Sequence, residues 1–116
     1  MLDKSKTYLI VGLGLLGGKY AQVLSQKGYR VTGITHSAET MDFALSHGYV
    51  CAGKTENFED LVEQADCVIF GLYPTVLLDW VRQYGHLLHR GTMVTDVSGV
   101  KRGVVEPVQQ LTLIHI

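Results

Sequence analysis

Cysteine, proline, a surplus of one charge and long apolar runs are all scarce in this 116-residue chain. Its two cysteines, Cys51 and Cys67, form no CxxC pair, so neither a zinc site nor a dithiol redox motif can be built from them alone. They are also too few for a disulfide framework, and a reducing cytoplasm is the expected compartment. Ten Lys and Arg against eleven Asp and Glu leave a formal charge of -1, without the basic surplus of a nucleic-acid binder. The longest apolar runs, such as Val68-Ile69-Phe70, fall far short of the ~20 residues that cross a bilayer, and Met1 to Lys6 lacks the apolar stretch of a secretory signal. No membrane or nucleic-acid partner is expected. The histidines are scattered; His86 and His89 could share a helical face, yet no carboxylate or cysteine completes a metal set.

Glycine is abundant. The chain has thirteen, where an average usage of ~7% predicts about eight, and the excess points to backbone brought close to something. Apolar runs and helical periods alternate along the chain. Tyr8–Val11 reads as a strand covered on both faces, and Leu15–Lys27 as a helix with Leu16, Tyr20, Val23 and Leu24 as its apolar members and Gly28 as its stop. Arg30–Thr35 is a second strand. A second helix opens at Ser37–Thr40 and ends at His47-Gly48. Tyr49–Cys51 is predicted as a brief third strand, residues 58–64 as a short helix, and Cys67–Phe70 as a fourth strand. Pro74 suits a first helical turn, in a helix carrying Val76, Leu77, Trp80 and Val81 on one side and fading near Tyr84-Gly85. Thr92–Thr95 is a fifth strand ending at Asp96; Lys101–Gln110 reads as a last helix containing Pro107, and Leu111–Ile116 as a sixth strand. This rhythm implies one α/β domain over residues 1–116, a doubly wound parallel sheet between two helical layers.

Gly12-Leu13-Gly14-Leu15-Leu16-Gly17 is a G-x-G-x-x-G sequence. The pattern gains meaning from its context, an apolar strand before it, a helix after it and a second strand on schedule. Gly12 permits the tight turn, Gly14 lets a pyrophosphate approach the backbone, and Gly17 lets helix pack on strand. Amide groups at the helix start then face the phosphates, assisted by the helix dipole. The predicted ligand is NAD or NADP. A carboxylate at the end of the second strand would favour NAD, but Thr35, His36 and Ser37 stand there. Two hydroxyls and a potential positive charge lean the reading to NADP, although no arginine accompanies them. Leu72, Tyr73 and Pro74 after the fourth strand, and Asp96 at the end of the fifth, lie where this fold opens its ligand crevice. Each also has a plainer structural reading, helix initiation for Tyr73-Pro74 and loop anchoring for Asp96. Trp80 and Cys67 read as core, Lys101 as a solvated lysine.

With the loop placed, the chain resembles the nucleotide-binding domain of the prephenate/arogenate dehydrogenase family, a Rossmann-type fold. The resemblance rests on Ile10–Gly18, Ala65–Ile69, Gly71-Leu72-Tyr73-Pro74 and Val94-Thr95-Asp96-Val97-Ser98-Gly99-Val100-Lys101. It implies a dehydrogenase of tyrosine biosynthesis that oxidatively decarboxylates prephenate to 4-hydroxyphenylpyruvate with a nicotinamide cofactor. The family places a serine directly before its Val-Lys pair. Here Gly99 occupies that place and Ser98 precedes it, so Ser98 is the candidate substrate-contacting residue. The family also carries a catalytic histidine in a His-Pro-Met stretch and a following helical domain for substrate and dimerisation. His115 is followed only by Ile116, so the expectation is a truncated or excised domain, inactive alone, with prephenate as substrate and a homodimer as a possible assembly. Two rival readings share the glycine loop: another two-domain NADP oxidoreductase of the 3-hydroxyacid dehydrogenase or imine reductase type, and a non-catalytic dinucleotide-binding module.

Overall fold

A computed structural model of the chain describes residues 5–72, 74–88 and 91–96. Five strands form one sheet: β1 (Thr7–Val11), β2 (Arg30–Ile34), β3 (Ala52–Lys54), β4 (Cys67–Phe70) and β5 (Met93–Asp96). They run in the order β3-β2-β1-β4-β5, and every pair is parallel. The helices are α1 (Leu15–Gln26), α2 (Ala38–Ser46), α3 (Glu59–Gln64) and α4 (Pro74–Tyr84), followed by a 3₁₀ turn at Gly85–Leu87. The helix and sixth strand expected over residues 101–116 lie outside the described residues.

Side chains alternate across each strand, and the two central strands serve two cores. Tyr8 and Ile10 of β1 join Cys67 and Ile69 of β4 against Ala21 and Leu24 of α1 and Met41 and Ala44 of α2. Leu9 and Val11 join Val68 and Phe70 against Leu61 and Val62 of α3 and Leu77, Trp80 and Val81 of α4. This two-sided burial is why β1 and β4 read as unbroken apolar runs. Phe70 and Trp80 meet edge to face at 5.2 Å between ring centroids, which bears out Trp80 as core. Cys67 is buried, and that burial pushes its thiol up to about 11, as an inert core residue requires.

Three expectations need correction. The third strand is Ala52–Lys54 instead of Tyr49–Cys51. The backbone amides of Tyr49 and Val50 turn back to the Ala44 carbonyl at 2.9 and 3.5 Å, so the apolar pair closes the turn after α2 and sends Val50 into the core. Pairing with β2 begins only as Cys51 N–H donates to the Val31 carbonyl at 2.8 Å. In α1 the inward face is Gly17, Ala21 and Leu24, while Tyr20 and Val23 are 42% and 39% exposed. The small residues let the helix axis lie close to the sheet, and a spacing of four and three residues selects that stripe. In α4, Val76 is exposed, leaving Leu77, Trp80 and Val81 to pack.

Local contacts pin the sheet's ends. Asp66 Oδ2 accepts from Thr7 N–H at 2.8 Å, while Asp66 N–H donates to the Thr7 carbonyl at 2.9 Å. At the other edge, the Lys54 ammonium reaches both carboxylate oxygens of Asp60 at 2.9 Å, tying β3 to α3 and holding the Asp60 carboxyl below its usual range.

Candidate functional site

The chain passes from β1 to β2 and β3 on one side of the sheet, and returns to β4 and β5 on the other. Between β1 and β4 the connections therefore diverge, leaving a crevice at the carboxyl ends of the two strands. Gly12 leaves β1 there with φ +92°, a left-handed conformation that favours glycine. Its N–H donates to the Ile34 carbonyl at 2.8 Å, so the turn is hydrogen-bonded to β2 as it leaves the sheet.

Three glycines from two distant segments close the floor of this crevice. A Cβ on Gly17 would overlap the Gly12 carbonyl oxygen, and one on Gly71 would lie 2.7 Å from that same oxygen and 3.2 Å from Gly17 Cα. A Cβ on Gly12 would lie 2.8 Å from both the Gly71 oxygen and Leu72 Cδ2. Gly14 differs: no atom lies within 4 Å of the position its Cβ would take. Gly12 and Gly17 are thus closed by protein, whereas Gly14 faces open space. Gly71 went unassigned a packing role from sequence; its signal was a glycine directly after a fully apolar strand.

Helix α1 begins at this opening. Gly14 is its N-cap, no side chain caps it, and its first turn contains no acidic residue. The other helices with described caps are furnished differently. Ser37 caps α2 by accepting from Thr40 N–H at 3.2 Å, with Glu39 in the first turn, and α3 carries Glu59 and Asp60 there. The first amides of an α-helix lack intrahelical partners and sit at the positive end of its dipole. At α1 they open toward the crevice without a competing carboxylate from the helix itself. Backbone donors beside an open glycine form a cradle suited to an anion, and a diphosphate fits that chemistry.

The remaining candidates fall around the same edge. Leu13 is buried under the loop, and Leu15 and Leu16 open α1. Thr35, His36 and Ser37 form the turn from β2 into α2; the Thr35 hydroxyl accepts from Ser37 N–H at 3.4 Å, and His36 and Ser37 are exposed. No carboxylate stands in that turn. Leu72 follows β4 and packs against the core beneath α4, Pro74 is the first residue of α4, and Asp96 is the last of β5. Tyr73 and Ser98 lie outside the described residues, as does His89. Among the described residues no cluster of three or more His, Cys, Asp or Glu could hold a metal ion. Also among them, no helix is long and apolar enough to cross a membrane.

Comparison with known proteins bears on this edge of the sheet. The solved structure of prephenate dehydrogenase from A. aeolicus, in complex with hydroxyphenyl propionate and NAD+, is similar with a TM-score of 0.80 and 24% identity over 92% of this chain and 38% of that one. Synechocystis arogenate dehydrogenase matches with a TM-score of 0.81 and 26% identity, over 90% of this chain and 37% of that one. An imine reductase from Pseudomonas sp. shares the fold with a TM-score of 0.76 at 22% identity, over 95% of this chain and 38% of that one. This chain thus spans well under half the length of each. No curated protein matches it. The family model of the prephenate dehydrogenase nucleotide-binding domain matches residues 20–116, a stretch that begins after the glycine loop. The loop and the family match are therefore separate observations, and together they identify the chain as a member of the prephenate dehydrogenase nucleotide-binding domain family, with a Rossmann-type fold.

Proposed function

We propose that this chain holds a nicotinamide dinucleotide across the carboxyl ends of β1, β2 and β4, as the cofactor-binding part of a dehydrogenase acting on prephenate or arogenate. The observation that carries the reading is the start of α1: an open Gly14, no capping side chain and no carboxylate in the first turn, set where β1 and β4 diverge. Gly12 makes the turn, the amides of the loop and of Leu15 and Leu16 face the diphosphate, and Gly17 keeps the helix close. Thr35, His36 and Ser37 receive the adenosine ribose. With no carboxylate there to repel a 2′-phosphate, NADP is the favoured cofactor. Leu72, Tyr73, Pro74 and Asp96 border the nicotinamide half, and Ser98 meets the substrate. Support for the substrate class comes from the family, and from a fold neighbour whose structure contains NAD+ and hydroxyphenyl propionate.

A bound nicotinamide would supply the hydride acceptor for oxidation of the ring's carbinol carbon, while the carboxylate leaves as carbon dioxide from the ring carbon opposite it. The chain's own contribution is orientation: a rigid β1–α1 turn fixes the diphosphate, so the ring at its far end is presented at one place and angle. Calorimetric titration with NADP and NAD tests the reading. The wild-type chain binds both saturably, NADP more tightly, and Gly14→Val loses binding while retaining its circular dichroism spectrum. Failure of the wild type to bind either nucleotide, or unchanged affinity in Gly14→Val, overturns it.

A further inference from the structure

A groove of about 340 Å³ runs outward from Gly14 between α1 and α2. One wall is the α1 face carrying Gly18, Lys19 and Gln22, and the other is the α2 face carrying Thr40 and Phe43. These positions follow helical spacing, so two adjacent faces look at each other across the gap. Lys19 is the groove's cation. No Asp or Glu lines it, and Glu39 of α2, though exposed nearby in sequence, is not part of its wall. Lys19 takes part in neither of the ion pairs among the described residues, which are Lys54 with Asp60 and Arg82 with Asp79.

Position gives this charge a specific use. From Gly14 to Lys19 the helix rises about 7.5 Å. A helical side chain inclines toward the N-terminus, so the lysine stem runs back over much of that distance. The groove mouth thus lies between the glycine loop, proposed above for the diphosphate, and the first turn of α2, entered from Thr35–Ser37. With the ribose received at Thr35–Ser37, as proposed above, this mouth is the space its 2′ substituent would enter; Thr35–Ser37 themselves do not line the groove. Leu13, Ala21, Phe43 and Ala44 make the walls partly apolar, and Lys19 stands exposed at their edge.

We infer that Lys19, facing Thr40 across the α1–α2 groove, is a specificity-determining cation for the 2′-phosphate of NADP, supplying from α1 the positive charge that the turn after β2 lacks in the form of arginine. This rests on the dinucleotide reading of the glycine loop. It assigns the selectivity to an electrostatic contact that NAD, with a hydroxyl at the same place, does not make.

The test is a calorimetric comparison of wild type, Lys19→Ala and Lys19→Arg, titrated with NADP, NAD, adenosine 2′,5′-bisphosphate and 5′-AMP. Lys19→Ala weakens NADP and the bisphosphate about tenfold, the scale of one charged hydrogen bond. NAD and 5′-AMP stay within a factor of two. Lys19→Arg restores the preference, and added salt erodes the wild-type preference more than that of Lys19→Ala. Equal weakening of all four ligands, or no change in any, overturns the inference and leaves the dinucleotide reading intact. A wild-type chain that binds neither NADP nor NAD overturns both.

Discussion

Replacing Gly17 by alanine places a methyl carbon against the Gly12 carbonyl oxygen, with Gly12 C at 3.1 Å and Ile10 Cγ2 at 3.4 Å behind it. Two of these atoms are backbone and the third is a fully buried side chain, so no flexible group can swing aside. Relief requires α1 to lift from β1, which also disturbs Ala21 and Leu24 in the core they share. Overpacking a core that can adjust costs about 1–3 kcal/mol, and against rigid backbone the upper end applies. At ~4–8 °C per kcal/mol for a small domain, a loss of about 3 kcal/mol lowers the melting temperature by roughly 12–24 °C. Gly14→Ala is the internal control. Its φ is -73° and no atom lies within 4 Å of the new methyl, so its cost is less than about 1 kcal/mol, the scale of an N-cap preference. Thermal melts followed at 222 nm compare the two. If Gly17→Ala melts as close to wild type as Gly14→Ala does, the close packing of helix on turn is not what Gly17 provides.

Thr35→Asp puts a carboxylate in the turn after β2 and weakens NADP much more than NAD in calorimetry; equal loss of both contradicts the placement of the ribose there. Ser37→Ala removes the hydroxyl that accepts from Thr40 N–H and costs about 1 kcal/mol in urea denaturation, a loss that Ser37→Asp does not show. Native chain treated with a thiol reagent at pH 8 labels quickly at exposed Cys51 and not at buried Cys67; two fast equivalents per chain would refute the burial. The Cys67 thiol is raised to about 11 from 9.0, so across that interval the folded chain holds a proton the unfolded chain releases. Stability is therefore undiminished by this group below about pH 9 and falls as pH rises toward 11. In Cys67→Ala, whatever its baseline, that alkaline contribution is absent.

Much of the layout was legible because its physical causes are local. Double burial of β1 and β4 produces unbroken apolar runs, and the loop between β1 and α1 is tight enough that glycine spacing alone locates it. Pro74 starts α4 for a reason visible in one residue, its fixed φ and missing N–H. What escaped depends on partners distant in sequence. Tyr49-Val50 has the composition of a strand, yet α2's last turn captures its amides and pairing slips to Ala52–Lys54, a segment with little intrinsic strand preference. Tyr20 and Val23 look like core, but only the whole helix shows that small residues at 17 and 21 choose the inward stripe. The groove at Lys19 is made by two helices whose facing residues lie 18 or more positions apart, from Gln22 to Thr40, and no single segment announces it.

The contact among Gly12, Gly17 and Gly71 bears on how portable the nucleotide cradle is. The first two belong to the β1–α1 segment, but the third directly follows β4, more than fifty residues later. A peptide cut to β1–α1–β2 would carry the whole recognisable motif and still lack the wall against which its turn is seated. Transplanting the loop into another scaffold accordingly demands a host whose neighbouring strand also ends in a residue without a side chain. A host ending that strand in alanine would prise the graft open from beneath.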